Sequence, residues 1–287
     1  MALIAILISL VVERLLGSME ELRQFDWFYA YHRRVAPRLA QLKWLNSPLG
    51  ALLLLLPLIA PVVAIDYYLS GTWLLFGLAF AVFILLFCFG PRDLEAEVEA
   101  FVDARSRGDE ESACWHASEL LGGEEVRCSA EVTQRIMQNI FVEANERLLA
   151  IVFWFVVLGP GGALLYRLSS LLQQQQAERA EGVYEAGVRL HYLLVWLPAR
   201  LCAIAYAMAG SFVEAVNGWR EVDSGWSESS RLILIASGFG ALRIEPGEIE
   251  DDSRACDQVN EAISMVRRAV LVFLSLVALF TLSGWMN

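Results

Sequence analysis

From Leu49 to Ile65 the chain runs without a charged residue, and it does so again from Trp73 to Phe89 and from Ala269 to Trp285. Apolar runs of about 17 or more residues are long enough, as helices, to cross the roughly 30 Å hydrocarbon layer of a bilayer. Two further segments, Leu148 to Leu165 and Tyr192 to Phe212, are as apolar but interrupted, the first by Gly159-Pro160-Gly161-Gly162 and the second by Pro198 and Arg200. The fold expected is therefore all-α: a polytopic integral membrane helical bundle with two broken or irregular segments and helical cytoplasmic loops.

The composition agrees with a membrane protein that carries sizeable aqueous segments, being 57% hydrophobic yet 19% charged, with a net charge of −11. Residues 1–90 are read as a short apolar helix, a basic-aromatic loop and two transmembrane helices. Residues 91–147 form a cytoplasmic helical segment, and residues 148–212 hold two irregular membrane segments joined by a Gln-rich loop. An acidic cytoplasmic loop, 213–267, precedes a C-terminal transmembrane helix, 268–287. The run Ala2 to Val12 is short and meets Glu13 and Arg14 at once, with neither a basic lead nor a small-residue cleavage site. A retained helix fits it better than a signal peptide.

Orientation follows the cationic residues. The loops Gly17 to Pro48, Gly90 to Arg147 and Val213 to Arg268 hold five, six and six Lys/Arg, against Arg167, Arg179 and Arg189 on the opposite side. The large loops are thus expected in the cytoplasm. A re-entrant Tyr192 to Phe212 would move the last of them to the other side. Three of the five cysteines, Cys114, Cys128 and Cys256, fall in those loops, so free thiols are expected of a reducing compartment.

Within the second loop, Leu94, Val98, Phe101 and Val102 recur at helical spacing. Asp109 to Leu121 then reads as a helix capped by Asp109 and stopped by Gly122-Gly123. The apolar island Leu232 to Leu242 is too short to cross and reads as a packed or re-entrant helix. The first loop, with Trp27, Tyr29, Arg33, Arg34, Lys43 and Trp44, fits interfacial anchoring to lipid headgroups.

Soluble-enzyme motifs are missing: there is no GxxxxGK[ST], no HExxH and no GxSxG. No cofactor or metal ligand set is implied, and no nucleic-acid partner. The informative groups are those that a membrane makes expensive. Arg200 sits in an apolar segment two residues after Pro198, where a cation costs about 2.5 to 3.5 kcal/mol unless paired or hydrated. Pro198 removes a backbone donor, and an opened turn at Gly159, Pro160 and Gly161 exposes backbone dipoles. Glu143, Asn145, Glu146 and Arg147 stand at the mouth of the broken segment, with Tyr166 and Arg167 beyond the break. These eleven residues are the candidate binding set for a small anionic or amphipathic ligand in a polar intramembrane cavity.

The blocks Phe153-Trp154-Phe155-Val156-Val157-Leu158-Gly159-Pro160-Gly161-Gly162-Ala163-Leu164-Leu165-Tyr166-Arg167 and Trp196-Leu197-Pro198-Ala199-Arg200-Leu201 resemble the AmpE family, as does the opening Val12-Glu13-Arg14-Leu15-Leu16. That resemblance implies an inner-membrane accessory or sensor protein linked to AmpC β-lactamase induction and the antibiotic response, with cell-wall recycling proteins as partners beside the lipid bilayer. AmpE is in turn similar to the CbiB/CobD cobinamide-phosphate synthases, whose broken segment follows a Glu-Asn-x-x-Asp motif. Here Glu143-Ala144-Asn145-Glu146-Arg147 is out of that register, and the enzymes' later Pro-Asn-Ala-Gly-Trp-Pro-Glu-Ala stretch is echoed only around Ser224 to Glu228. The alternative function implied is a CbiB-like enzyme condensing or transferring a small group with magnesium, using Glu143 or Glu146 as base or metal ligand.

Overall fold

The computed structural model describes residues 2–16, 25–40, 47–90, 94–124, 126, 130–174, 181–222, 229–244 and 252–282. Regular structure among them is helical throughout. In chain order the helices are α1 (Ala2–Leu16), α2 (Asp26–Ala40), α3 (Pro48–Thr72), α4 (Leu74–Cys88), α5 (Leu94–Ser106) and α6 (Glu110–Leu120). There follow α7 (Ala130–Ala144), a π-helical turn (Asn145–Leu149), α8 (Ala150–Gln174), α9 (Glu181–Ala209), α10 (Phe212–Glu221), α11 (Ser229–Leu242) and α12 (Asp252–Leu282). Among the described residues four helical stretches are long and apolar enough to cross a membrane: Pro48–Gly71, Glu131–Gln174, Glu185–Ala209 and Arg254–Leu279. The second of these joins α7, the π turn and α8.

One expected span, Trp73 to Phe89, is found one residue shorter at each end. Trp73 takes up extended backbone (φ −144°, ψ 92°) that ends α3 and starts α4, so α4 has only 15 residues. At 1.5 Å per residue that is about 22 Å, short of a full crossing. The residues gained by α3 carry Asp66, Tyr67 and Tyr68, which the sequence places at the end of a span.

The chain forms two compact units. The first comprises Met1–Pro91, Glu146–Leu197 and Phe280–Asn287. In it α1 packs on α4 and α8, α3 packs on both of these, and α2 rests on α3. Its core holds Ile6, Leu54, Leu55, Leu85, Phe89 and Tyr166, all almost fully buried. Lipid tails are as apolar as leucine, so association here depends on close packing. Gly161 shows how close: a Cβ added there would fall inside van der Waals contact of Val63 Cγ2 on α3. Within the first loop of the sequence reading lies α2, which buries Phe28 and leaves Trp27 exposed. Lys43 and Trp44 lie outside the described residues.

The second unit comprises Arg92–Asn145 and Pro198–Leu279. Helices α5 and α6 pair across Gly108 (φ +72°). The Asp109 carboxylate accepts from the Ser112 N–H at 3.1 Å and caps α6, whose end turns through Gly122 and Gly123, both at positive φ. Asn139 Nδ2 of α7 donates to the Leu120 carbonyl at 2.6 Å, serving one of the acceptors that the end of α6 leaves open. Helices α10 and α11 pack backbone to backbone, since a Cβ on Gly218 would lie 2.7 Å from the Ala236 carbonyl oxygen. The island Leu232 to Leu242 is thus a packed helix, α11. Ion pairs join Arg267 to Glu95 and Arg135 to Glu124.

One thiol expectation is overturned. Cys114 is disulfide-bonded, while Cys88, Cys202 and Cys256 form no disulfide. The expectation rested on compartment alone and carried no information about which thiols the fold brings together. Cys128, the Ser224 to Glu228 echo and residues 245–251 of the acidic loop lie outside the described residues.

Candidate functional site

The break is real. Gly159 has φ 69° and ψ −161°, a conformation that L side chains rarely adopt, and it divides α8 with Pro160 at the start of the second half. A Cβ on Gly159 would lie 3.7 Å from Asp66 Oδ2 on α3. The half-helix after the break presents a positive dipole end, and the acid that faces it belongs to the protein. The sequence reading reserved that dipole for an anionic ligand.

Beyond the break the chain buries polar groups. Arg167 is 5% exposed and Tyr166 fully buried. The Arg167 guanidinium lies 5.1 Å from the centroid of the Phe25 ring, a cation–π arrangement. Ser169 donates to the Tyr166 carbonyl at 2.7 Å, and its oxygen lies 3.1 Å from His191 Nδ1 on α9. With the single hydroxyl proton of Ser169 so placed, Nδ1–H is the donor to it, and in the neutral ring Nε2 carries the lone pair. His191 is buried, tilted against the Tyr166 ring at 5.3 Å, and its Nε2 has no hydrogen-bond partner among the described residues. Sequence reasoning gave His191 no role. The signal available was its spacing of seven residues from Pro198 in one apolar helix.

Two helix irregularities are compensated by aromatic side chains. Pro198 stands inside α9 and has no N–H to give to Leu194, four residues earlier. The indole N–H of Trp154 donates to that Leu194 carbonyl at 2.9 Å. The π turn makes a similar demand in the second unit, where an uninterrupted α-helix would pair the Asn145 N–H with the Phe141 carbonyl. The Tyr206 hydroxyl donates to that carbonyl at 2.8 Å.

The remaining candidates divide by unit. Glu146 and Arg147 belong to the first, where the Arg147 stem lies against Gly90: a Cβ there would be 2.8 Å from Arg147 Cβ and Cγ, and the Gly90 N–H donates to the Arg147 carbonyl at 3.3 Å. Arg147 and Arg167 are about 30 Å apart along the helix, so a small ligand touches one or the other. Glu143, Asn145, Pro198 and Arg200 belong to the second unit. Asn145 and Pro198 are buried there, with Glu143 and Arg200 half-buried. Among the described residues no three His, Cys, Asp or Glu come together as a metal site.

Over residues 1–286 the chain matches the profile of a family described as regulatory signalling modulator protein AmpE. It is 25% identical over 221 residues to Protein AmpE of Shigella flexneri, covering 74% of this chain and 73% of that one. It is also similar to two proteins named cobalamin biosynthesis protein CobD. Identity is 28% over 170 residues with that of Chromobacterium violaceum, 58% of this chain and 54% of that protein. With that of Stutzerimonas stutzeri it is 32% over 119 residues, 40% and 39% of the two. The chain thus spans little more than half of one CobD protein and less than half of the other. No solved structure matches it.

Proposed function

The chain belongs to the AmpE family, and from that premise we propose that it is an inner-membrane accessory or sensor protein in cell-wall-linked β-lactamase induction, binding an anionic or amphipathic ligand at membrane depth. The observation that supports this is Arg167, a permanent cation kept at 5% exposure in a stretch long enough to span, just past a break in the helix. Cations in spans are costly and rare, and they mark ligand or ion pathways. Tyr166 and Arg167 form the centre of the binding group, with Gly159, Pro160 and Gly161 setting the bend that aims them. Cell-wall recycling proteins are the partners, and the large loops lie in the cytoplasm.

The test is β-lactamase induction in cells carrying Arg167→Gln or Arg167→Lys at equal membrane levels. Altered induction with Gln and partial retention with Lys are expected. Wild-type induction in both variants overturns the reading.

The likeness to the CobD proteins favours a second reading, a membrane enzyme that condenses or transfers a small group with magnesium. Glu143 or Glu146 then serves as base or metal ligand. Magnesium-dependent turnover of amine and nucleotide substrates, lost in Glu143→Gln and Glu146→Gln, is its expected signature, and silence across those substrates removes it.

A further inference from the structure

The second unit buries two polar side chains at a place where burial is expensive. Asn145 opens the π turn and is fully buried, and neither its Nδ2 nor its Oδ1 has a hydrogen-bond partner among the described residues. Ser237 on α11 is as deeply buried, and its Oγ has none among them either. Helices α7 and α11 pack together, with Gly238 so close to Phe141 that a Cβ would fall 2.5 Å from the ring. Phe141 is one turn before Asn145, and Gly238 is next to Ser237. An amide taken out of water without a bond in return destabilises the fold. The π turn is a further irregularity of the kind found at functional sites. Tyr206 already serves the carbonyl at that turn, so the open capacity is in the side chains.

We propose that Asn145 and Ser237 form the recognition edge of a binding site for a neutral amide group: a peptide, N-acyl or carboxamide function of a small molecule. A carboxamide side chain offers an N–H donor beside a C=O acceptor. Its complement is a group with an acceptor beside a donor, which is another amide. The serine hydroxyl adds a third bond. The surroundings are apolar, with Ile140, Phe141, Val142 and Ala144 all buried. Such a setting tolerates a neutral polar group that is fully bonded and penalises a charged one. The inference rests on the ligand-binding reading only in taking the occupant to be a ligand, and it concerns a site within the second unit alone.

The test uses the full chain in lipid nanodiscs and a set of N-acetyl dipeptide amides, each paired with a depsipeptide in which an ester oxygen replaces one N–H. Binding is followed by calorimetry. Saturable binding of at least one amide is expected, with its ester about tenfold weaker, the equivalent of one neutral hydrogen bond. Asn145→Leu, similar in size, abolishes binding while keeping or raising the melting temperature, and Ser237→Ala weakens binding several-fold. Equal affinity of amide and ester, unchanged binding by Asn145→Leu, or no saturable binding across the set overturns the proposal. If no amide binds while Arg167→Gln still alters induction, this inference falls and the functional reading stands. If amides bind as stated while Arg167 variants induce normally, the reverse holds.

Discussion

Replacing Trp154 by Phe removes one hydrogen-bond donor, the indole N–H, and leaves most of the ring. The Leu194 carbonyl that it serves cannot fall back on its helical partner, because that partner is Pro198. Leaving a buried acceptor unbonded costs about 1–3 kcal/mol in water-soluble proteins, whereas interhelical hydrogen bonds in membranes average about 0.6 and reach about 1.7 kcal/mol. For a carbonyl on a buried residue whose ordinary helical donor is replaced by a proline, we expect the upper part of the membrane range, about 1–1.5 kcal/mol. The single variant also loses contact area, so a double-mutant cycle isolates the bond. Pro198→Ala restores an N–H four residues after Leu194, and in that background Trp154→Phe should lose only its packing share. Reversible unfolding in mixed micelles, read by far-UV circular dichroism, gives all four free energies. A coupling energy of about 1 kcal/mol is expected. Equal costs of Trp154→Phe with and without Pro198 would refute the view that the indole compensates the proline.

Other consequences are simpler to read. Gly218→Ala drives a Cβ to 2.7 Å from a backbone carbonyl that cannot yield, whereas Gly71 has nothing within 4 Å. The first substitution should destabilise by about 1–3 kcal/mol and the second stabilise by up to about 1 kcal/mol, in the same unfolding assay. Burial lowers the His32 pKa below its ordinary 6.5. The neutral ring therefore contributes stability that is complete above pH 6.5 and is lost as the pH falls through the lower folded value. Acidification from neutrality should loosen the fold in wild type and less in His32→Gln, by hydrogen exchange in α2. Disulfides persist in oxidising compartments, so the bond at Cys114 and the Lys/Arg asymmetry point to opposite sides of the membrane. Cys114 in intact cells should be reached by an impermeant maleimide only after the cells are opened and reduced if the loops are cytoplasmic. Labelling of reduced intact cells reverses the orientation.

Much of the architecture was legible because helices write themselves into local pattern. The Asp109 cap, the Gly122-Gly123 stop, α11 and the Gly159 break all follow from residues within a few positions of each other. The limits of α4 fall within one residue of the apolar run Trp73 to Phe89, whereas the continuation of α3 past Ile65 through Asp66, Tyr67 and Tyr68 was not legible, because the end of an apolar run marks where a helix leaves lipid and not where it stops. The π turn is equally silent, since it changes the helical register by one residue and leaves composition untouched. Pairings across the fold, such as Asp66 at Gly159, Trp154 at Leu194 and Tyr206 at Phe141, join residues many tens of positions apart, and a periodicity names a face without naming its neighbour. The costly residues were visible in sequence. That protein groups face the Gly159 dipole and bond two of the helix carbonyls was visible only in three dimensions.

The shortness of α4 has a consequence for the surrounding lipid. Its first turn offers Leu74, Leu75 and Phe76, all largely exposed, yet about 22 Å of helix meets a hydrocarbon layer about 30 Å thick. Mismatch of this kind costs a fraction of a kcal/mol per ångström and is relieved by thinning of the adjacent leaflets. Lipids with shorter or less ordered tails should gather beside α4, and the first unit should favour thin regions of its membrane, a means of lateral sorting that needs no partner protein.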